Sequence, residues 1–155
     1  MIKIPRSKYD IIVEIICYIC LIGIVIYLLF NWGQIPNRIP GHYNAAGQVD
    51  RVTGKGSLIA TYIVTLIMYI GMTVIERLPQ IWNTGVNITN ENKERIFRIL
   101  KDFLKSIKLI VVITFTYIIY NTAKASSLPI WFTPLNLIIT FGCIIYYCVK
   151  LVKNR

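Results

Sequence analysis

Four apolar stretches, each near the length that crosses a bilayer, dominate this chain of 155 residues. Ile11 to Phe30 carries one acid, Glu14, and Ser57 to Ile75 carries no charge. Ile107 to Tyr120 is shorter and broken only by Lys108, while Leu128 to Val149 has Pro129 and Pro134 near its start. A hydrocarbon core of roughly 30 Å needs about 20 residues at about 1.5 Å each. Soluble core helices of that length carry a polar face, and these do not. The sequence therefore predicts an all-α integral membrane protein, a four-helix bundle with spans at about 11–30, 57–76, 107–122 and 130–149. Residues 1–155 read as a single four-span domain, without repeats or low-complexity linkers. The first block is longer than the roughly 7–15 residues of a signal-peptide apolar region, and no small-x-small site follows it, so it is read as a retained span.

The net charge of +10 gives the topology. Lys3, Arg6 and Lys8 precede the first span. Arg77, Lys93, Arg95, Arg98, Lys101, Lys105 and Lys108 lie between the second and third, and Lys150, Lys153 and Arg155 follow the fourth. Only Arg38, Arg51, Lys55 and Lys124 fall on the other side. The positive-inside rule then puts both termini in the cytoplasm and the loop between the first two spans outside. The basic excess is a topology signal first and a contact with anionic lipid second. Nucleic acid is set aside as a partner, because no recognition motif accompanies the charge.

Two acids sit in or at the ends of the apolar blocks. Glu14 lies near the start of the first and Glu76 closes the second, both at the cytoplasmic boundary in this topology. An ionisable group there is costly unless paired, so Glu14 and Glu76 are expected in a membrane ion pair with nearby lysine or arginine. Cys17 and Cys20 have redox or metal spacing, but they lie within an apolar helix, as do Cys143 and Cys148. All four are read as small hydrophobes.

Between the second and third spans the pattern turns amphipathic. Ile96, Ile99, Leu100, Phe103, Leu104 and Ile107 recur at three- and four-residue steps, with basic residues between them. A cytoplasmic amphipathic helix is expected at about 91–106, capped by Thr89 or Asn90 and running into the third span. The combined element, about 45 Å long, either projects from the membrane or lies on it and bends. Its apolar face packs on the protein and lipid, or docks a cytoplasmic protein partner.

The remaining chemistry is concentrated in Ile35–Asp50, which holds the only histidine. Pro36 and Pro40 favour extended backbone before them, and Ala45-Ala46-Gly47-Gln48 offers a turn with Gly47 at its permissive position. His42 and Asn44, two apart, share a face if extended, and the turn returns Asp50 beside them. That constellation reads first as a hydrogen-bonded knot ordering the outer loop, next as a ligand or peptide site. A metal site on His42, Asn44 and Asp50 comes third, since the set lacks defining ligand spacing. No nucleophile has an evident base, which argues against an enzyme, and no cofactor is expected.

Ile39-Pro40-x-His42-Tyr43-Asn44-x-x-Gly47-x-x-Asp50, followed by Lys55, resembles the loop of a bacterial membrane domain of unknown function. That domain forms the N-terminal part of the immunity proteins against sporulation-delaying toxin and also occurs in short stand-alone membrane proteins. Val86-Asn87-Ile88-Thr89-x-Glu91-Asn92 resembles the segment before the third span in the short members. Tyr43 stands where the family more often has Phe or Trp. The resemblance implies Pro40, His42, Asn44, Gly47, Asp50 and Lys55 as the loop's characteristic residues, in a multi-pass protein of the bacterial cytoplasmic membrane. The leading functional expectation is a binding module, an immunity or sensing protein against a peptide toxin or envelope ligand. Its rival is a small transporter or channel component, with Tyr62, Thr65, Tyr69 and Thr73 as a polar stripe on the second span. A metal-binding membrane protein is the third reading. Partners are the lipid bilayer, an outside ligand and a cytoplasmic protein, with oligomerisation left open.

Overall fold

The computed structural model describes residues 4–155, so Lys3, counted above among the basic residues, lies outside it. Four helices, α1 Lys8–Asn31, α2 Ser57–Glu76, α3 Lys93–Ala123 and α4 Phe132–Lys153, are each long and apolar enough to cross a membrane. The protein is a multi-pass membrane protein on that measure. Its fold departs from all-α in one respect: the loop after α1 is a β-hairpin, β1 Arg38–Tyr43 paired antiparallel with β2 Val49–Gly54. Two prolines before a turn favour extended backbone, and extended backbone folded on itself pairs.

Helix α1 starts at a reciprocal cap. The Asp10 backbone N–H donates to Ser7 Oγ at 3.2 Å, and the Ser7 N–H donates to Asp10 Oδ2 at 3.0 Å, satisfying two otherwise orphaned donors. Helix α3 is the centre of the bundle. It packs along α1, α2 and α4, whereas α1 and α2 keep their backbones apart and meet through side chains, Tyr62 on Leu21 and Tyr69 on Glu14. Val13, Cys17 and Leu21 of α1 meet Tyr69 of α2 and Val112 of α3 in one core. A second core, nearer the hairpin, joins Ile24, Leu28, Ile35 and Ile39 to Leu58, Ile119 and Ala123. Helix α4 has no buried residue and holds on through side chains: Asn136 Nδ2 donates to Thr114 Oγ1 at 2.5 Å, and the Phe132 and Tyr117 rings stack at 4.9 Å.

The amphipathic helix expected at about 91–106 runs into the third span expected at 107–122 as one helix of 31 residues. Ile96, Phe97, Ile99 and Leu100 are buried by the chain itself, with Trp82 from the α2–α3 connection against Phe97 at 6.0 Å between ring centroids. The helix begins after Asn92 rather than at Thr89 or Asn90. Thr89 still contributes, because its hydroxyl accepts from the Asn92 N–H at 3.2 Å while Asn92 Oδ1 accepts from the Thr89 N–H at 2.8 Å. The expected cap became the first half of a turn leading into the helix.

Candidate functional site

Two polar assemblies occupy opposite ends of the bundle. At the hairpin end, the turn is built by Asn44. Its Oδ1 accepts from the Ala46 and Gln48 N–H groups, each at 3.0 Å. Its backbone N–H donates to Gln48 O at 2.9 Å, and its O accepts from Gly47 N–H at 2.9 Å. Gly47 has φ +78°, the left-handed region that the turn requires.

The register explains where the histidine points. Pro40 opposes Val52, His42 opposes Arg51 and Tyr43 opposes Val49, so Gly41 on one strand and Asp50 on the other are left unpaired. Such bulges re-aim the side chains beside them. His42 Nδ1 comes 2.7 Å from Asp50 Oδ1, with both side chains about half exposed. A carboxylate only accepts, so the ring donates through Nδ1 and Nε2 is left as its acceptor nitrogen. Asn44 does not join this pair, because its carboxamide is spent inside the turn. Of the three converging residues expected, the structure brings two together. Among the described residues no group of three or more His, Cys, Asp or Glu is placed to hold a metal, and the cysteines are all unpaired.

The other loop residues anchor the hairpin. Ile39 and Pro40 are buried, Ile39 in the upper core. The Tyr43 hydroxyl donates to the Ser126 carbonyl at 3.1 Å and lies 3.1 Å from Thr122 Oγ1. Burial pushes its phenol pKa above the usual value, the Thr122 contact opposing that shift. Gly47 O accepts from the Leu128 N–H at 2.8 Å. Lys55 lies over the Trp32 ring at 5.4 Å. Tyr43→Phe is expected to cost about 1 kcal/mol, read as earlier denaturation in micelles with the helix content unchanged. Between hairpin and bundle lies a cavity of about 480 Å³, with His42, Tyr43 and Asn44 on one side and Ser57, Thr122 and Thr133 on the other.

At the opposite end, four charges from three helices close into a ring. Glu14 Oε1 lies 2.5 Å from Lys105 Nζ and 2.6 Å from Lys108 Nζ, and Glu76 lies 2.9 and 2.8 Å from the same two lysines. The Tyr69 hydroxyl donates to Glu14 Oε2 at 2.8 Å. Lys108 is fully buried. One turn further out, Arg98 grips Asp10 at 2.6 Å together with Asp102, and Lys101 reaches Asp10 at 3.2 Å. Glu14 and Glu76 thus each meet two lysines. Sequence reasoning did not single out Lys105, Lys101, Arg98 or Asp10. The signal was there for Lys105 and Lys108, whose three-residue spacing puts both on one helical face, and in the Ser7-x-x-Asp10 capping pattern.

The hydroxyls of the stripe on α2 are hydrogen-bonded, the threonines within the helix and the tyrosines to α1. Thr65 and Thr73 hydroxyls donate to the carbonyls of Thr61 and Tyr69, each at 2.8 Å, and Tyr62 donates to Leu21 O at 3.4 Å.

The family model for a domain of unknown function, DUF1648, matches residues 19–68, from the middle of α1 across the hairpin into α2. That stretch includes Pro40, His42, Asn44, Gly47, Asp50 and Lys55 and leaves Lys105 and Lys108 outside. An uncharacterized protein of Archaeoglobus fulgidus is 26% identical over 124 residues, covering 69% of this chain and 68% of that protein. The likeness therefore extends to an archaeon. No solved structure matches.

Proposed function

We propose that the protein is a membrane binding module that receives its ligand at the hairpin end. One observation carries the reading. The hairpin is fixed to the bundle through Ile39, Tyr43, Gly47 and Lys55, while His42, paired with the half-exposed Asp50, stays exposed at the rim of the 480 Å³ cavity. A rigid support with a few free polar groups beside a concavity is how binding sites are built. With the basic residues concentrated at the other end, the hairpin faces outside and both termini face the cytoplasm. The ligand then arrives from the envelope, and a peptide toxin is the favoured class, in the manner of an immunity or sensing protein.

The transporter alternative needs a polar path. The hydroxyls of α2 that would line one already have carbonyl or carboxylate partners, which favours the binding module.

The test is protection of a sensitive bacterial host against a panel of membrane-active peptide toxins. His42→Ala and Asp50→Ala should each abolish protection against one toxin at unchanged protein level. Their denaturation midpoints should stay within the effect of a solvent-exposed pair, about 0–1 kcal/mol. Full sensitivity of the wild-type strain to every toxin, with solute flux through reconstituted vesicles, would replace this reading by transport.

A further inference from the structure

The end opposite the hairpin holds a larger concavity, which the binding-module reading does not use. The α1 and α2 backbones stay apart and are joined only by side chains such as Tyr69 on Glu14, and a cleft of about 580 Å³ opens between them with α3 behind it. Its walls are of two kinds. Ile11, Ile15 and Tyr18 on α1 are about half exposed and apolar, on the side a bilayer would cover. The floor is ionic, made by Glu14, Glu76 and Lys105 with Asp10 and Lys101 beside them.

Charge decides what such a cleft accepts. Every carboxylate in it is already held: Asp10 by Arg98 and Lys101, Glu14 and Glu76 by Lys105 and Lys108. Those acids cannot recruit a cation without giving up a lysine. Arg6 and Arg77, both exposed, line the mouth from the start of α1 and the end of α2. Neither has a carboxylate within 4.0 Å among the described residues. The surplus at the mouth is positive, and two guanidinium forks suit a phosphate.

We infer that this cleft is a binding site for an anionic phospholipid, its phosphate held between Arg6 and Arg77 and its acyl chains along Ile11, Ile15 and Tyr18. The phosphate chemistry alone would also fit a soluble phosphate. The apolar wall, continuous with the lipid-facing side of α1, selects the lipid. Seated there, the lipid adds to the side-chain contacts between α1 and α2, which include the Tyr69 and Tyr62 hydroxyls on Glu14 and Leu21 and the Tyr18–Tyr69 ring pair.

The experiment compares the purified full chain in nanodiscs of phosphatidylcholine with increasing phosphatidylglycerol, counting retained lipid by native mass spectrometry after mild detergent exchange. Wild-type protein should retain phosphatidylglycerol. The double variant Arg6→Gln, Arg77→Gln should lose it, with apparent affinity weaker by about thirtyfold, the effect of two basic groups beside anionic headgroups. Arg38→Gln with Arg51→Gln removes the same charge from the hairpin end and should retain lipid like wild type. Equal loss from both pairs would reduce the effect to net charge and overturn the site. Equal retention by all three proteins would overturn it too. Displacement of the lipid by millimolar inorganic phosphate would assign the arginines to a soluble anion instead.

Discussion

Lys108→Met is expected to be the most damaging single substitution in this protein, at about 3–5 kcal/mol, the cost of breaking a buried ion pair. Lys108 is fully buried between Glu14 and Glu76, each of which also meets Lys105. Removing it leaves two carboxylates sharing one ammonium, so one charge in the interior has no counter-charge. The penalty comes from the acid left behind rather than from the lost attraction. Pairing the change with Glu14→Gln restores one acid to one lysine, and that double variant should recover most of the loss. The measurement is denaturation in mixed micelles across the four combinations of the two changes. Additive losses would show that Glu14 and Lys108 act independently and would dismiss the ring as an energetic unit.

Gly47→Ala is expected to cost about 2–4 kcal/mol and to release the hairpin from the bundle. Two effects combine. The left-handed φ of +78° costs an L-residue about 1–2 kcal/mol. A Cβ placed there would lie 2.5 Å from the Leu128 carbonyl oxygen and 3.1 Å from the Leu128 Cβ. The obstacle is backbone of the α3–α4 connection, which cannot rotate away like a side-chain end. The Leu128 N–H to Gly47 O bond would open, adding about 1 kcal/mol. Gly85→Ala supplies the control, since Gly85 also has a left-handed φ, +64°, but nothing within 4 Å. It should cost only the strain, about 1–2 kcal/mol. Amide exchange at Leu128 and Asn44 should quicken in the Gly47 variant alone. Equal costs at both glycines would refute the close approach as the cause.

The two ends of the molecule differ in how far they could be read in advance. Gly47 at a turn, with Asp50 returning beside His42, follows from proline and glycine chemistry within sixteen residues, roughly the reach of local rules. Asn44 stays apart from His42 and Asp50 for a local reason. Two-residue alternation stops at the end of β1, and Asn44 lies just past it, where its side chain accepts from the turn amides. The anchoring of Tyr43 on Ser126 and of Gly47 on Leu128 joins residues about 80 positions apart. Nothing in the hairpin's own residues announces those partners.

The long apolar blocks by themselves determined that four helices form, because 20 residues with few charges have no other way to satisfy their backbone in hydrocarbon. The loop's prolines and glycines determined the turn at Gly47, and the apolar surroundings of Glu14 and Glu76 determined their need for counter-charges. Tertiary structure alone decided that α3 stands at the centre, where Lys105 and Lys108 meet both acids at once. It also decided that the apolar face at Ile96 to Leu100 is buried by the chain itself, with Trp82 of the α2–α3 connection against Phe97, and that a cleft stays open between α1 and α2. The physical reason is that periodicity tells each helix which face to bury, while the neighbour that covers the face is chosen by the packing of the whole.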